Sequence, residues 1–297
     1  MPTLYIAVED ALLVARSANR SSDRWDVTFH LEDRSLRCVA LGAGRPERVF
    51  CGTSGHGLWR SDDAGERWKR VGEETLPPRV MAVAAGALGE GGGSVVFAGT
   101  EPSRVFRSDD GGESWQECGG LQELPSHRSW SYPPRPDTHH VRCIGLDPVV
   151  AGRLFVCIEA GALVRSPDGG ESWRDRVPGG PYDTHTLALP PVEGLLYAAA
   201  GDGWFESRDG GESWQQLDEG LRHHYLWSVA INRYDPELLL VSAASGARQA
   251  HDAARAETWI YRRQRGGTWQ PVREGLPEPR GTIASSLAAD RAEPGIF

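Results

Sequence analysis

Short apolar runs separated by turn-forming residues cover most of the chain. They recur in pairs, at residues 95–100 and 105–108, 154–157 and 162–165, and 195–198 and 204–207. Such runs, rich in β-branched and aromatic side chains and bounded by Gly, Pro and Asp, are typical of β-strands. No long segment has the 3.6-residue period of an amphipathic helix. The pattern therefore predicts an all-β protein.

A motif of the form S-x-D-x-G-x-x-W occurs four times, at residues 61–68, 108–115, 166–173 and 207–214. In each copy the aspartate can accept backbone N–H bonds from a tight turn, and the glycine allows a positive φ without strain. The closing tryptophan offers a large flat apolar surface to neighbouring layers. The motif aspartates are Asp63, Asp110, Asp168 and Asp209. Two weaker copies, at residues 21–25 and 266–269, bring the series to six units.

The spacing of the repeats predicts the architecture. The intervals between Trp68, Trp115, Trp173 and Trp214 run from about 41 to about 58 residues, which suits a four-stranded propeller blade of about 40–50 residues. We therefore expect one six-bladed β-propeller domain over residues 1–297. A blade shared between the two ends of the chain would close the ring and remove exposed strand edges. The expected blades are 1–31 plus 279–297 for the closing blade, and then about 34–75, 79–122, 138–178, 183–221 and 224–276.

The four motifs resemble those of the Asp-box (BNR-repeat) β-propellers. That superfamily includes sialidases and other glycoside hydrolases, sortilin-type receptors, and photosystem II assembly factors of cyanobacteria and chloroplasts. The resemblance covers nearly the whole chain and implies the propeller fold. Because the same fold supports catalysis in some members and binding alone in others, function has to be argued from a site.

Composition narrows the expected partners. The net charge is −9 and the sequence pI is near 5.5, which disfavours nucleic acids and anionic membranes, since both need a basic surface. No stretch has transmembrane length. The first residues have the pattern of a strand and lack a signal-peptide pattern. The five cysteines are best explained as free thiols. We expect a cytoplasmic monomer with a small-molecule ligand.

Candidate binding residues lie where the innermost strand of each blade begins, on the face opposite the Asp boxes. Alignment of these strands places Arg37, Arg79 and Arg142 at matching positions, with His185 and Trp227 at the same place in later units. Arginines so arranged could bind a carboxylate or phosphate through bidentate hydrogen bonds. They could equally pair with acids of the protein. Tyr225 adds a flat surface suited to a sugar or another planar ligand.

Candidate catalytic residues lie on the same face. Glu101, Glu159 and Asp202 fall in loops between second and third strands, and Tyr182 lies close to an inner strand. A carboxyl group with a pKa raised by partial burial could act as a general acid or base. A sialidase-like site would add a Tyr–Glu nucleophile pair to an arginine triad, but no such pair is assignable here.

Several histidines precede successive inner strands. We expect no cofactor, and a metal site at these histidines is the alternative. His140, His185 and His224 could bind zinc or another divalent transition metal with an open position for water. No metal-binding motif fixes their spacing, so polar loop contacts are the simpler explanation.

The sequence therefore predicts a propeller that binds a small, anionic or sugar-like ligand at the channel mouth. It leaves open whether the protein is an enzyme. If it is one, a glycoside hydrolase-like (sialidase-like) reaction or a metal-assisted hydrolase or lyase reaction is expected. The alternative is a non-catalytic scaffold that binds a protein partner.

Overall fold

The computed structural model describes residues 2–19, 24–88, 93–290 and 293–297. Its regular structure consists almost entirely of strands in six antiparallel sheets. The all-β prediction is therefore confirmed. Part of the weak motif copy at residues 21–25 lies outside the described residues.

The strands follow one another in chain order within each sheet. The first sheet comprises β1 (Thr3–Ala7), β2 (Leu12–Arg16) and β3 (Asp26–His30). The second comprises β4 (Leu36–Gly42), β5 (Arg45–Thr53), β6 (Leu58–Ser61) and β7 (Lys69–Val71). The third comprises β8 (Val80–Leu88), β9 (Gly93–Thr100), β10 (Val105–Ser108) and β11 (Gln116–Glu117).

The second half of the chain repeats this arrangement. The fourth sheet comprises β12 (Val141–Leu146), β13 (Leu154–Ile158) and β14 (Ala162–Ser166). The fifth comprises β15 (Thr184–Ala188), β16 (Leu196–Ala200), β17 (Gly203–Ser207) and β18 (Gln215–Gln216). The sixth comprises β19 (Tyr225–Asn232), β20 (Asp235–Ala244), β21 (Trp259–Arg263) and β22 (Gln270–Val272).

Helical structure is limited to short segments. The α-helix α1 (Ala247–His251) lies in the connection between β20 and β21, and 3₁₀ turns span Leu121–Glu123 and Pro125–Ser129. Within the described part of the chain, no helix combines the length and the apolar character needed to cross a membrane.

The core lies between successive sheets. Inner strands β4, β8, β12, β15 and β19 contact one another in that order, and β1 contacts β4. Between the third and fourth sheets, for example, Phe97 and Val105 are buried against Leu154, Val156 and Val164. Each sheet thus buries an apolar face that it could not cover alone.

The Asp boxes form the turns after the third strand of their units. In the last full copy, the Asp209 carboxylate accepts hydrogen bonds from Ser207 Oγ at 2.8 Å and Ser213 N at 2.9 Å. Burial raises the pKa of Asp209, but the hydrogen bonds from Ser213 and Ser207 outweigh it and lower the pKa to about 2. The carboxylate therefore stabilises its turn in the ionised form.

An arginine immediately precedes the box serine in three of the four full boxes and binds the box of the following unit, and Arg16 at the end of β2 makes the same contact. These box-clamping arginines donate to the carbonyl at the fourth box position of the next sheet, and the described ones are Arg16 to Ala64, Arg60 to Gly111, Arg107 to Gly169 and Arg165 to Gly210. The fifth unit has Glu206 at this position, and it pairs with Arg263 of the sixth sheet. Adjacent sheets are therefore joined by charged hydrogen bonds on the Asp-box face.

The C-terminal segment differs from its prediction. Residues 279–297 were expected to supply an inner strand and the start of a second to the closing blade, but the described residues of this segment form no strand. Instead, Leu287 N donates to Ser228 Oγ at 3.0 Å, and Ser242 Oγ donates to Ser285 O at 2.7 Å. The segment therefore lies against the sixth sheet through isolated hydrogen bonds. Its described residues form no ladder with β1. The first sheet accordingly has three strands.

Candidate functional site

Each of the five inner strands β4, β8, β12, β15 and β19 shifts register close to its first residue. The residue skipped by the strand pairing is Arg37, Met81, Arg142, His185 or Trp227, respectively. A β-bulge re-aims the side chain of its extra residue, and bulges often lie next to functional sites. We call the surface around these positions the bulge face.

The bulges correct the sequence alignment at one position. Arg79 was aligned with Arg37 and Arg142, but the bulged residue of its strand is Met81, which is buried. Arg79 O accepts a hydrogen bond from Glu101 N. His140 O accepts the corresponding bond from Glu159 N. Arg79 is therefore the counterpart of His140, two residues before the bulge. The sequence could not reveal this because a bulge shifts the strand register without a motif of its own.

Glu101 is enclosed by two arginines. Its side chain is 1% exposed, and its two carboxylate oxygens accept hydrogen bonds from Arg79 at 2.7 Å and Arg135 at 2.6 Å. Arg135 comes from the insertion at residues 127–137 and also lies 5.2 Å from the ring centre of Tyr132. Sequence analysis did not single out Arg135. This pairing satisfies the buried carboxylate and occupies donors of Arg79.

Glu159 lies between His140 and Arg142. Its carboxylate is 3.0 Å from His140 Nε2 and 3.6 Å from Arg142 Nε. Burial raises the pKa of Glu159, but the hydrogen bond from His140 and the charge of Arg142 outweigh burial and lower it. The contact with Arg142 is an ion pair without a hydrogen bond, since Arg142 Nε has no hydrogen-bond partner among the described residues.

Aromatic rings from the sixth sheet and α1 surround the Arg142 guanidinium and His185. The Arg142 guanidinium carbon lies 4.4 Å from the ring centre of Trp227. His185 lies 4.9 Å from Trp227 and 4.8 Å from Tyr225, centre to centre. His251 of α1 contacts Trp227 at 4.4 Å, and its Nε2 lies 3.3 Å from the Tyr225 hydroxyl. The structure thus brings four predicted residues, Arg142, His185, Tyr225 and Trp227, into one cluster.

Asp183 supports this cluster from the fifth sheet. Its carboxylate lies 3.4 Å from His185 Nε2 and accepts a hydrogen bond from Ala160 N at 2.8 Å. Burial raises the pKa of Asp183, but the close contact with His185 and the hydrogen bond from Ala160 N outweigh burial and lower it. Burial, together with the Asp183 and Glu159 carboxylates, raises the pKa of Tyr225. At neutral pH Tyr225 is therefore a neutral phenol beside ionised carboxylates.

The remaining candidates lie at the edge of the bulge face. The Asp202 carboxylate accepts hydrogen bonds from the backbone N–H groups of Tyr182 and Asp183, which is a turn-stabilising role. Tyr182 is exposed, with the Arg176 guanidinium 5.5 Å from its ring centre. Arg37 makes only a 3.9 Å ion pair with Glu9. Arg37 and Arg142 are thus more weakly paired than Arg79.

The histidines proposed as metal ligands have separate carboxylate partners. His140 contacts Glu159, His185 contacts Asp183, and His224 lies 3.4 Å from Asp218. Within residues 2–19, 24–88, 93–290 and 293–297, no group of three or more His, Cys, Asp or Glu side chains has the geometry of a metal site. The residues present do not fit the zinc alternative.

A family model for the BNR/Asp-box repeat matches residues 106–117, which contain the second box. Curated protein sequences give no match. Among solved structures, an ancestral GH74 enzyme has a TM-score of 0.65 at 19% identity, over 82% of this chain and 32% of its own length.

Two further structures share the fold. A GH74 enzyme of Niastella koreensis has a TM-score of 0.57 at 17% identity, over 92% of this chain and 37% of its own. YCF48 bound to D1 peptide has a TM-score of 0.52 at 18% identity, over 77% of this chain and 68% of its own. The chain thus spans about a third of the length of the GH74 enzymes. The chain thus carries a BNR/Asp-box repeat at residues 106–117 and shares the β-propeller fold of these structures.

Proposed function

We propose that the protein is a non-catalytic binding propeller that holds a carboxylate-bearing ligand on the bulge face. The observation that carries this proposal is the position of Arg142, whose guanidinium stacks on Trp227. Stacking on an aromatic face leaves the N–H edge of a guanidinium free for bidentate bonding to a carboxylate.

The surrounding charges also support binding at Arg142. Arg79 is bonded to the buried Glu101, whereas Arg142 makes no hydrogen bond to any described residue and contacts Glu159 at 3.6 Å. A ligand carboxylate can therefore bind Arg142 without breaking a hydrogen bond of the protein. His251 contacts the Trp227 ring, Tyr225 contacts His251, and both residues provide polar atoms near Arg142.

Hydrolysis is less well supported than binding. A general acid needs a raised pKa at neutral pH, but Glu159 and Asp183 both have lowered pKa values. Glu101 is held between two arginines and Asp202 bonds backbone N–H groups. The GH74 neighbours are glycoside hydrolases by name, and YCF48 was solved with a D1 peptide. The paired carboxylates favour the binding role.

Isothermal titration calorimetry tests the proposal. The ligands are acetyl-trialanine with a free carboxylate, its C-terminal amide, glucuronate and glucose. We expect a free carboxylate to bind and its neutral counterpart not to bind. Comparison of the affinities for the peptide and for glucuronate shows whether the site prefers the C-terminus of a polypeptide or an acidic sugar. Loss of one charged hydrogen-bonding partner costs about 1.5–3 kcal/mol, so Arg142→Ala should weaken binding by about 10- to 100-fold.

Arg79→Ala is the matched control, since Arg79 lies on the same face but bonds Glu101. It should lower stability and leave the affinity unchanged. Equal affinity for the acid and the amide, or an unchanged affinity in Arg142→Ala, would contradict the proposal.

We also propose that the ring has six blades and closes between the first sheet and residues 279–297. The first sheet lacks an inner strand, and Leu4 and Ile6 on β1 are 47% and 44% exposed. Ile283 and Ile296 in the C-terminal segment are 54% and 52% exposed. Contact between these two apolar surfaces would bury both.

A further inference from the structure

The repeats allow the contacts between successive sheets to be compared position by position on the Asp-box face. Strand pairing places Phe50 opposite Arg60, Phe97 opposite Arg107, and Phe155 opposite Arg165. The residues two positions before these phenylalanines are therefore equivalent, and they are Arg48, Val95 and Arg153. One of the three units thus has valine where the other two have arginine.

Where the arginine is present, two guanidiniums face the next box. Arg48 and Arg60 both donate to Gly111 O, at 3.0 and 2.9 Å, and Arg60 also pairs with Glu113. One interface further along, Arg165 donates to Gly210 O and pairs with Glu212.

Arg153 provides the second guanidinium at the interface that contains Arg165. It lies so close to Gly210 that a Cβ there would be 2.5 Å from its Nη1. The box glutamate is thus paired with an arginine in both interfaces.

The interface between the third and fourth sheets is different. Arg107 donates to Gly169 O at 3.1 Å and pairs with Asp109 at 2.8 Å. The box glutamate of this interface is Glu171, and none of the described side chains hydrogen-bonds or ion-pairs with its carboxylate. A cavity of about 860 Å³ opens here, lined by Val95, Phe97 and Glu171 among others. The interface therefore lacks one cation and has one unpaired anion.

We propose that this cavity binds an arginine side chain of a partner polypeptide, with the guanidinium paired to Glu171. In a neighbouring interface an arginine of the chain itself occupies the position of Val95 and reaches the box carbonyl, as Arg48 does at Gly111 O, while a second arginine, Arg60, pairs with the box glutamate. Here Arg107 pairs with Asp109 instead, which leaves Glu171 available to an incoming guanidinium. Val95 and Phe97 offer apolar contact for the methylene stem of the side chain. The other charges at the cavity are already paired, since Arg153 bonds Asp147 at 2.7 Å and Arg107 bonds Asp109.

The size of the cavity permits a polypeptide ligand. Pockets of about 300–1,000 Å³ hold drug-sized ligands, so a cavity of about 860 Å³ has room for residues flanking the arginine. The site lies on the Asp-box face, opposite the bulge face, and it is independent of the proposed carboxylate site.

Calorimetry with a defined probe tests this inference. Acetyl-Ala-Arg-Ala-amide should bind, and the citrulline peptide, which has the same shape without the charge, should bind at least about tenfold more weakly. Glu171→Gln should weaken binding of the arginine peptide by about tenfold and leave the melting temperature unchanged. Val95→Arg should place an arginine of the chain itself in the cavity and abolish peptide binding. Val95→Leu should leave peptide binding intact.

Glu212→Gln is the matched control, because Glu212 is the equivalent glutamate but is paired with Arg165. It should lower the melting temperature without changing affinity for the peptide. Equal binding of the arginine and citrulline peptides, or full binding by Glu171→Gln, would overturn the inference. Agmatine binding as tightly as the peptide would overturn the assignment to a polypeptide. Should Val95→Arg fail to fold, the Glu171→Gln result still decides the outcome.

Discussion

At the scale of single residues, the Asp boxes were predictable because their chemistry is local. The Asp168 carboxylate accepts hydrogen bonds from Ser166 Oγ and from the backbone and hydroxyl of Ser172. All three groups lie within one turn, so the motif specifies its own structure. The bulge at Met81 depends instead on pairing between strands, and for that reason the sequence misplaced Arg79.

Replacement of Asp168 by Ala should lower the free energy of unfolding by about 1–2 kcal/mol, because the turn loses its acceptor. Urea unfolding of the variant and of the wild type measures this difference. Affinity for the carboxylate ligand should not change, since the box lies on the opposite face from Arg142. An unchanged unfolding free energy would show that the box aspartate does not hold its turn.

Stability should fall when the pH drops below about 6.5, because three histidines have lowered pKa values. Burial is the first cause for His139, His223 and His251, whose ordinary value is 6.5. The unfolded chain binds the proton at higher pH than the folded chain, so stability present above pH 6.5 is lost as the pH falls. Urea unfolding at pH 7.5 and 5.5 measures the loss, and His251→Gln should reduce it. An equal loss in His251→Gln would exclude His251 as a contributor.

At the scale of elements, the box-clamping arginines were visible in the sequence as an Arg before the box Ser, but their function was not. Arg60 reaches Gly111 in another unit, and no local pattern encodes a contact across so many residues. The fifth unit reverses the charges, since Glu206 replaces the arginine and Arg263 comes from the sixth sheet. Strands were predictable from alternation and turns, whereas contacts between sheets required the structure.

Arg263→Met should be among the most destabilising single changes in the chain. Arg263 is buried between Trp204 and Trp269, at 5.6 and 5.0 Å from their ring centres, and it pairs with the buried Glu206. Removal of one partner of a buried pair costs about 3–5 kcal/mol, because Glu206 stays buried and is left with a 3.7 Å contact to Arg208 and the hydrogen bond from Trp204 Nε1. Thermal or urea unfolding reports the loss.

The double variant Glu206→Leu/Arg263→Met supplies the control for this pair. It should recover much of the lost stability, because neither partner is then left charged and buried. A double variant no more stable than Arg263→Met alone would contradict this explanation.

At the scale of the whole molecule, the repeat spacing predicted a six-bladed propeller, and the structure shows six antiparallel sheets whose inner strands contact one another in chain order. Closure of the ring stays a prediction, because the described residues at the two ends of the chain form no strand ladder with each other. The bulge-face cluster combines Arg142, Trp227 and His251 from the fourth sheet, the sixth sheet and α1. The sequence predicted which residue types lie on this face, but only the structure shows which of them are in contact.

Ring closure predicts that Ile6→Lys and Ile283→Lys each lower the melting temperature. Ordinary exposed positions tolerate substitution within about 0.5 kcal/mol, and Val192, which is 44% exposed, provides Val192→Lys as the matched control. If all three variants have the melting temperature of the wild type, the two apolar surfaces do not meet in solution.

The central claim is that Arg142 on the bulge face binds a carboxylate. Its most direct test is a ¹H–¹⁵N NMR titration that follows the Arg142 Nε–H signal, assigned by its loss in Arg142→Lys. Addition of acetyl-trialanine acid should shift this signal progressively to saturation, and the C-terminal amide should leave it in place. An Arg142 signal that stays fixed while the acid shifts resonances elsewhere would contradict the account.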